Sequence, residues 1–151
     1  VDATAATDTG LAVGRQRGLG PVHVMEVRQY LNISSDVFVV REDTFQQRKD
    51  VLRRFLQGYR DSMQWMIQSP QEAAQLATQV AIDGQNPAIN LEIIQLRNAS
   101  SVSPLTQQRG LGAIDVEALQ KGAQVYKQLG LITRDLRMSD VVSQDLLPGR
   151  S

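Results

Sequence analysis

Residues 35–67, SDVFVVREDTFQQRKDVLRRFLQGYRDSMQWMI, constrain this chain most, because a short apolar run leads straight into a long amphipathic pattern. Val37, Phe38, Val39 and Val40 are β-branched or aromatic without interruption, which is how a strand buried on both faces reads. Beyond Arg41, Glu42 and Asp43, apolar Phe45, Leu52, Phe55, Leu56, Tyr59, Met63, Met66 and Ile67 recur at three- and four-residue steps, so they share one face of a helix. That helix is expected to start at Asp43 or Thr44, since either side chain can accept a free first-turn amide. Gly58 in its middle costs about 1 kcal/mol relative to alanine, which points to a close approach by another backbone. Trp65, the only tryptophan, falls off the stripe and reads as helix-end packing ahead of a cleft wall.

Composition narrows the chemistry. A chain of 151 residues with 42% hydrophobic residues buries one core, as a single domain or half of a larger one. The 16 basic and 16 acidic side chains cancel and no basic cluster stands out, so no face is built to attract nucleic acid. No apolar run has membrane-spanning length. The absence of cysteine removes thiol catalysis, thiolate metal sites and disulfides, and is compatible with the bacterial periplasm. A single histidine leaves a structural zinc site short of ligands. No cofactor is implied.

The first ten residues, VDATAATDTG, interleave small residues with hydroxyls and carboxylates and end at a glycine. Two readings are open. Small side chains let a ligand approach the backbone while Thr4, Thr7, Asp8 and Thr9 supply placed polar groups, or a strand ends here in a turn capped by Asp8 and Thr9. Residues 11–20, LAVGRQRGLG, read as a loop or frayed helix whose glycine spacing does not make a phosphate loop. Residues 22–31 alternate Val22, Val24 and Val27 with His23, Glu26 and Arg28, the pattern of a half-buried strand. His23 then reads as a strand residue rather than a catalytic base, because no acid or nucleophile is spaced around it.

Helix punctuation is clear downstream. Ser69-Pro70-Gln71-Glu72 reads as a capping box with proline at the first helical position, followed by a small-residue face of Ala73, Ala74, Ala77 and Ala81 and a stop at Gly84. Asn86-Pro87 starts another helix that carries Ile89, Ile93, Ile94 and Leu96 to Arg97-Asn98. Residues 99–112, rich in serine and glycine and containing Pro104, are expected to be a loop. At its near edge Arg97, Asn98, Ser100 and Ser101 either point into a pocket or finish a helix C-terminus. Asp115 caps a last clear helix, with Ile114 and Leu119 placed as a staple, that stops at Gly130 with Leu131 folding back; Ser139 is expected to cap a final turn.

The order VDA...TD, DVFVVREDTF, SPQEAAQLA, RNASSVSPLT, GAIDVEALQKGAQVYKQLGLI and DLRMSDVV resembles the second half of bacterial solute-binding proteins of the nitrate, sulfonate and thiamine-pyrimidine precursor group, the NMT1/THI5-like family. The resemblance implies an α/β fold: a partial periplasmic-binding-protein type II-like fold with a mainly helical C-terminal portion. It places residues 1–35 at the end of the second lobe, 36–43 as crossing strand and hinge, and 44–151 as the helical part of the first lobe. Sulfonate-binding relatives open on a motif like DAWAxWDP, whose equivalents here are Asp2, Thr4, Thr7, Asp8 and Thr9. Threonine stands for both tryptophans and for the proline, which argues against a sulfonate and for a smaller or more hydrogen-bonding solute.

The implied function is not enzymatic. It is the extracytoplasmic, periplasmic solute-binding component of a bacterial ABC importer, which captures a small organic solute in an interlobe cleft and delivers it to a membrane permease. Asp2, Thr4, Thr7, Asp8, Thr9, Arg97 and Asn98 are the ligand-binding candidates. The expected partners are the solute, the ABC permease subunits and a missing N-terminal half of the same protein, with no nucleic acid among them. Two rivals stay open: a helical protein-interaction module, and an enzyme like the pyrimidine synthases, which use histidine with a cysteine-rich metal motif that this chain lacks.

Overall fold

The computed structural model describes residues 2–33, 36–81 and 86–147. Their regular structure is helical: α1 (Asp8–Gln16), a 3-10 turn (Val27–Gln29), α2 (Glu42–Gln47), α3 (Lys49–Gln68), α4 (Pro70–Val80), α5 (Pro87–Ser101), α6 (Pro104–Arg109), α7 (Val116–Gln128) and α8 (Met138–Val141). No β-strand occurs among the described residues, so the α/β, type II binding-protein-like class is corrected to an all-helical one. Residues 37–40 have no strand assignment, and 22–31 hold only the 3-10 turn. A strand exists only where its amides and carbonyls bond to a neighbouring strand, and no described segment forms such a ladder. The apolar run therefore lies open, with Val39 84% exposed.

The chain forms two compact units, each from two separated stretches: Val1–Val24 with Asp61–Ser103, and Met25–Arg60 with Pro104–Ser151. In the first, α4 packs along α5 and α1 along α5. The small face of α4 brings the helices together as its alanines suggest: Ala74 is fully buried, and Ala73 and Ile94 join it with Met66 and Leu91 packed against them. Asn90, the one buried polar residue among those described, donates from Nδ2 to Thr78 Oγ1 at 2.8 Å, and Thr78 Oγ1 donates to the Ala74 carbonyl at 3.0 Å. Ala12 is buried on α1, and Gln16 Nε2 donates to Glu92 Oε2 of α5.

In the second unit Phe38 meets α3 edge-on, its ring centroid 5.2 Å from Phe55 and 4.8 Å from Tyr59. Ile33 lies over Gly122 on α7, where a Cβ would stand 3.3 Å from two Ile33 carbons, so only glycine allows that approach without displacement. Gln120 bridges α7 to the start of α8: its Nε2 donates to the Leu136 carbonyl and its Oε1 accepts from the Met138 amide, both at 2.9 Å. Ala113 and Leu146 are the buried apolar residues here.

Several helix boundaries differ from the expectation. The long helix begins in two pieces: α2 has Arg41 at its N-cap with no side-chain bond, and Arg48 at φ −127°, ψ 30° interrupts it before α3. A Cβ added at Gly58 would meet nothing within 4 Å, so no other backbone makes the close approach expected there. Ser69 precedes Pro70 but makes no side-chain cap bond, and Arg137 rather than Ser139 sits at the N-cap of α8. Residues 11–16 and 99–101 are helix, and Pro104 begins α6. The Ser100 and Ser101 hydroxyls donate to the Arg97 carbonyl at 3.0 and 2.7 Å, which ties the serines into α5. Asn86 and Asp115 cap as expected, accepting from the amides of Ile89 at 3.0 Å and Ala118 at 2.9 Å. The expected stop at Gly84 lies outside the described residues.

Candidate functional site

Of the N-terminal candidates, Thr7, Asp8 and Thr9 meet at the start of α1. Thr7 is its N-cap: Oγ1 accepts from the Gly10 amide at 3.0 Å and lies 3.2 Å from Thr9 Oγ1. Asp8 Oδ1 accepts from the Thr9 amide at 2.7 Å. The far end closes by reversal at Gly18, φ +91°, where the Leu19 amide donates to the Gly14 carbonyl at 2.9 Å and the Gly18 amide to Arg15 at 3.1 Å. Thr7 in front and Gly18 behind are therefore the two signals that make residues 8–16 a helix.

Asp8 sits in the first helical turn, where the positive end of the helix dipole favours its charge. Asp2 and Thr4 lie exposed on the segment leading to it. Residues 2–14 hold two carboxylates, Asp2 and Asp8, and no base. The start of α1 thus carries one exposed carboxylate beside hydroxyls that can donate or accept.

Arg97 and Asn98 lie in the last part of α5, in the same unit as α1 and on the helix against which α1 packs. Asn98 Nδ2 donates to the Met66 carbonyl at 3.0 Å, one of the last four of α3 and so without a partner further along that helix. Its Oδ1 is buried and has no hydrogen-bond partner. The Arg97 carbonyl takes the two serine hydroxyls described above. Asn98 thus holds one helix against another.

The concavity that the structure does show lies in the other unit, is lined by none of the candidate residues above, and was not legible in the sequence. Leu119, Gly122, Ala123 and Tyr126 of α7, with Ile132 and Leu136 of the segment that follows, line an apolar recess of about 180 Å³. Beside it an open shelf of about 320 Å³ shares Ile132 and Leu136 and adds Thr133 and Arg134. The segment turns back because Gly130, φ +71°, closes α7: the Leu131 amide donates to the Tyr126 carbonyl and the Gly130 amide to Lys127, each at 2.9 Å. Lys127 pairs with Asp135, and Arg137 with Asp140 at 3.0 Å.

His23 is exposed on irregular chain. The Arg28 guanidinium is held above its ordinary value by its hydrogen bond to Glu26 and by that carboxylate's charge, so it stays protonated. Among the described residues no group of three His, Cys, Asp or Glu is placed to hold a metal, and no helix is long and apolar enough to cross a membrane.

Compared with known proteins, residues 1–73 match the family model described as NMT1/THI5 like. The resemblance is borne out over that stretch, which contains Asp2, Thr4, Thr7, Asp8 and Thr9 and ends inside α4. It does not extend to the α7 segment that carried part of the resemblance. The family includes solute-binding proteins of ABC importers. No curated protein and no solved structure matches the chain.

Proposed function

We propose that this chain is part of the extracytoplasmic solute-binding component of an ABC importer, taking up a small organic solute and handing it to membrane permease subunits. The observation that carries the reading is the NMT1/THI5-like match over residues 1–73, which includes the whole acceptor cluster at the start of α1. In this reading Asp2, Thr4, Thr7, Asp8 and Thr9 receive the solute, a further N-terminal part of the protein completes the site together with Arg97, and Asn98, bonded to the Met66 carbonyl, supports Arg97 from within α5 rather than touching the solute. The Asp8 carboxylate with the Thr7 and Thr9 hydroxyls favours a solute that presents amine or hydroxyl donors. A ligand shifts such a protein between open and closed states only by its difference in affinity for the two.

The test must separate binding from helix capping, because Thr7→Ala removes the cap of α1 as well as a hydroxyl. Asp8→Asn and Thr7→Ser keep hydrogen-bonding side chains in place. Thermal shift of the complete protein is measured against a panel of small amines, polyols and sulfonates. At least one amine or polyol is expected to stabilise the native protein, with Asp8→Asn losing most of that shift while its basal stability falls by no more than about 1 kcal/mol. Stabilisation by sulfonates alone, or an identical shift in Asp8→Asn, would remove this cluster from the site.

A further inference from the structure

The apolar recess on α7 belongs to neither the acceptor cluster nor its unit. Gly122 and Ala123 leave room for it by putting little bulk on α7, and Ile33 lies over Gly122 at one side. It stays open because its far wall is fixed: the two Gln120 bonds pin the backbone at Leu136 and Met138, and the Gly130 reversal sets where Ile132 returns. At ordinary packing density the recess holds roughly five or six methylene-sized groups.

Charge at the adjoining shelf is one-sided. Lys127 and Arg137 are paired with Asp135 and Asp140. Arg134, which lines the shelf, has no acidic partner among the described residues, and Thr133 lies next to it. An apolar slot that shares Ile132 and Leu136 with a shelf lined by this guanidinium fits a ligand with an aliphatic body and one anionic end, since arginine's planar fork matches a carboxylate. We propose that this recess binds a short-chain aliphatic carboxylate, its chain against Leu119, Ala123 and Ile132 and its carboxylate at Arg134. The inference shares no residue with the solute-binding reading and stands or falls separately from it.

Acetate, butyrate, hexanoate and 1-hexanol are titrated into the full 151-residue chain and followed by backbone amide shifts. Hexanoate is expected to move the amides of Ala123, Ile132 and Arg134, and affinity to rise about fourfold for each added methylene. Arg134→Gln, an exposed change, is expected to weaken hexanoate about tenfold and leave hexanol unaffected. Ala123→Leu fills the recess and is expected to abolish hexanoate binding at retained helicity; should that variant not fold, Arg134→Gln still decides. Hexanol binding as tightly as hexanoate, no dependence on chain length, or unchanged hexanoate affinity in Arg134→Gln would each overturn the proposal.

Discussion

Replacing Thr78 by valine tests how α4 and α5 are held together. The side chains are nearly the same size, so the change removes hydrogen bonding and little packing. Asn90, 8% exposed, loses the 2.8 Å partner of its Nδ2, for which the 3.5 Å contact with the Ala74 carbonyl is a weak substitute, while the Thr78 bond to that carbonyl disappears. Leaving a buried amide poorly satisfied costs about 1–3 kcal/mol. Asn90→Leu is the milder change, because the Thr78 hydroxyl retains its 3.0 Å bond to Ala74, and a cost of about 1 kcal/mol is expected. The double variant should be more stable than the sum of the two losses implies, by roughly 1 kcal/mol, since it leaves no amide waiting for a hydroxyl. Thermal unfolding followed by circular dichroism reads this directly: about 2 kcal/mol corresponds to roughly 4–8 °C in a chain of this length. A neutral Thr78→Val, or strictly additive losses in the double variant, would refute the network.

Gly58→Ala should stabilise the protein by about 0.5–1 kcal/mol, because the residue is inside α3 with open space around it, and a urea midpoint moving upward would show it. Gly130→Ala should destabilise by about 1 kcal/mol in the same assay, since φ is +71° and no neighbouring atom is involved; Gly130→Asn should recover part of the loss. Asp115→Ala should cost about 1 kcal/mol through the cap to Ala118, with Asp115→Asn close to native. Val39→Lys should lower the binding of a hydrophobic dye without loss of helicity, because Val39 is 84% exposed and belongs to an open apolar run.

What the sequence revealed was what local chemistry decides. Asn86 and Asp115 each cap with an oxygen three residues from the amide it accepts, and Gly130 reverses the chain through its own φ, so all three were readable. The strands were not, because Val37, Phe38, Val39 and Val40 express only a preference that partner strands must complete. Glycines at 14, 18 and 20 left a loop and a frayed helix both open, and the structure takes the helix, with Gly18 as its terminator. Pro104 and the serines before it suggested irregular chain, yet proline opens α6 and the serines bond back into α5. At the candidate site, the interleaved hydroxyls and carboxylates were visible, while their use as a helix cap was not. Nothing local announces Asn90 or Gln120, whose partners are 12 and 16–18 residues away, or a recess whose walls meet only once α7 has turned back.

Solute capture at the start of α1 is the central claim, and native mass spectrometry of the protein purified gently from its source tests it most directly. A small organic mass retained by the native protein and lost from Asp8→Asn is the expected result. A bare protein, or the same mass held equally by both, would contradict it.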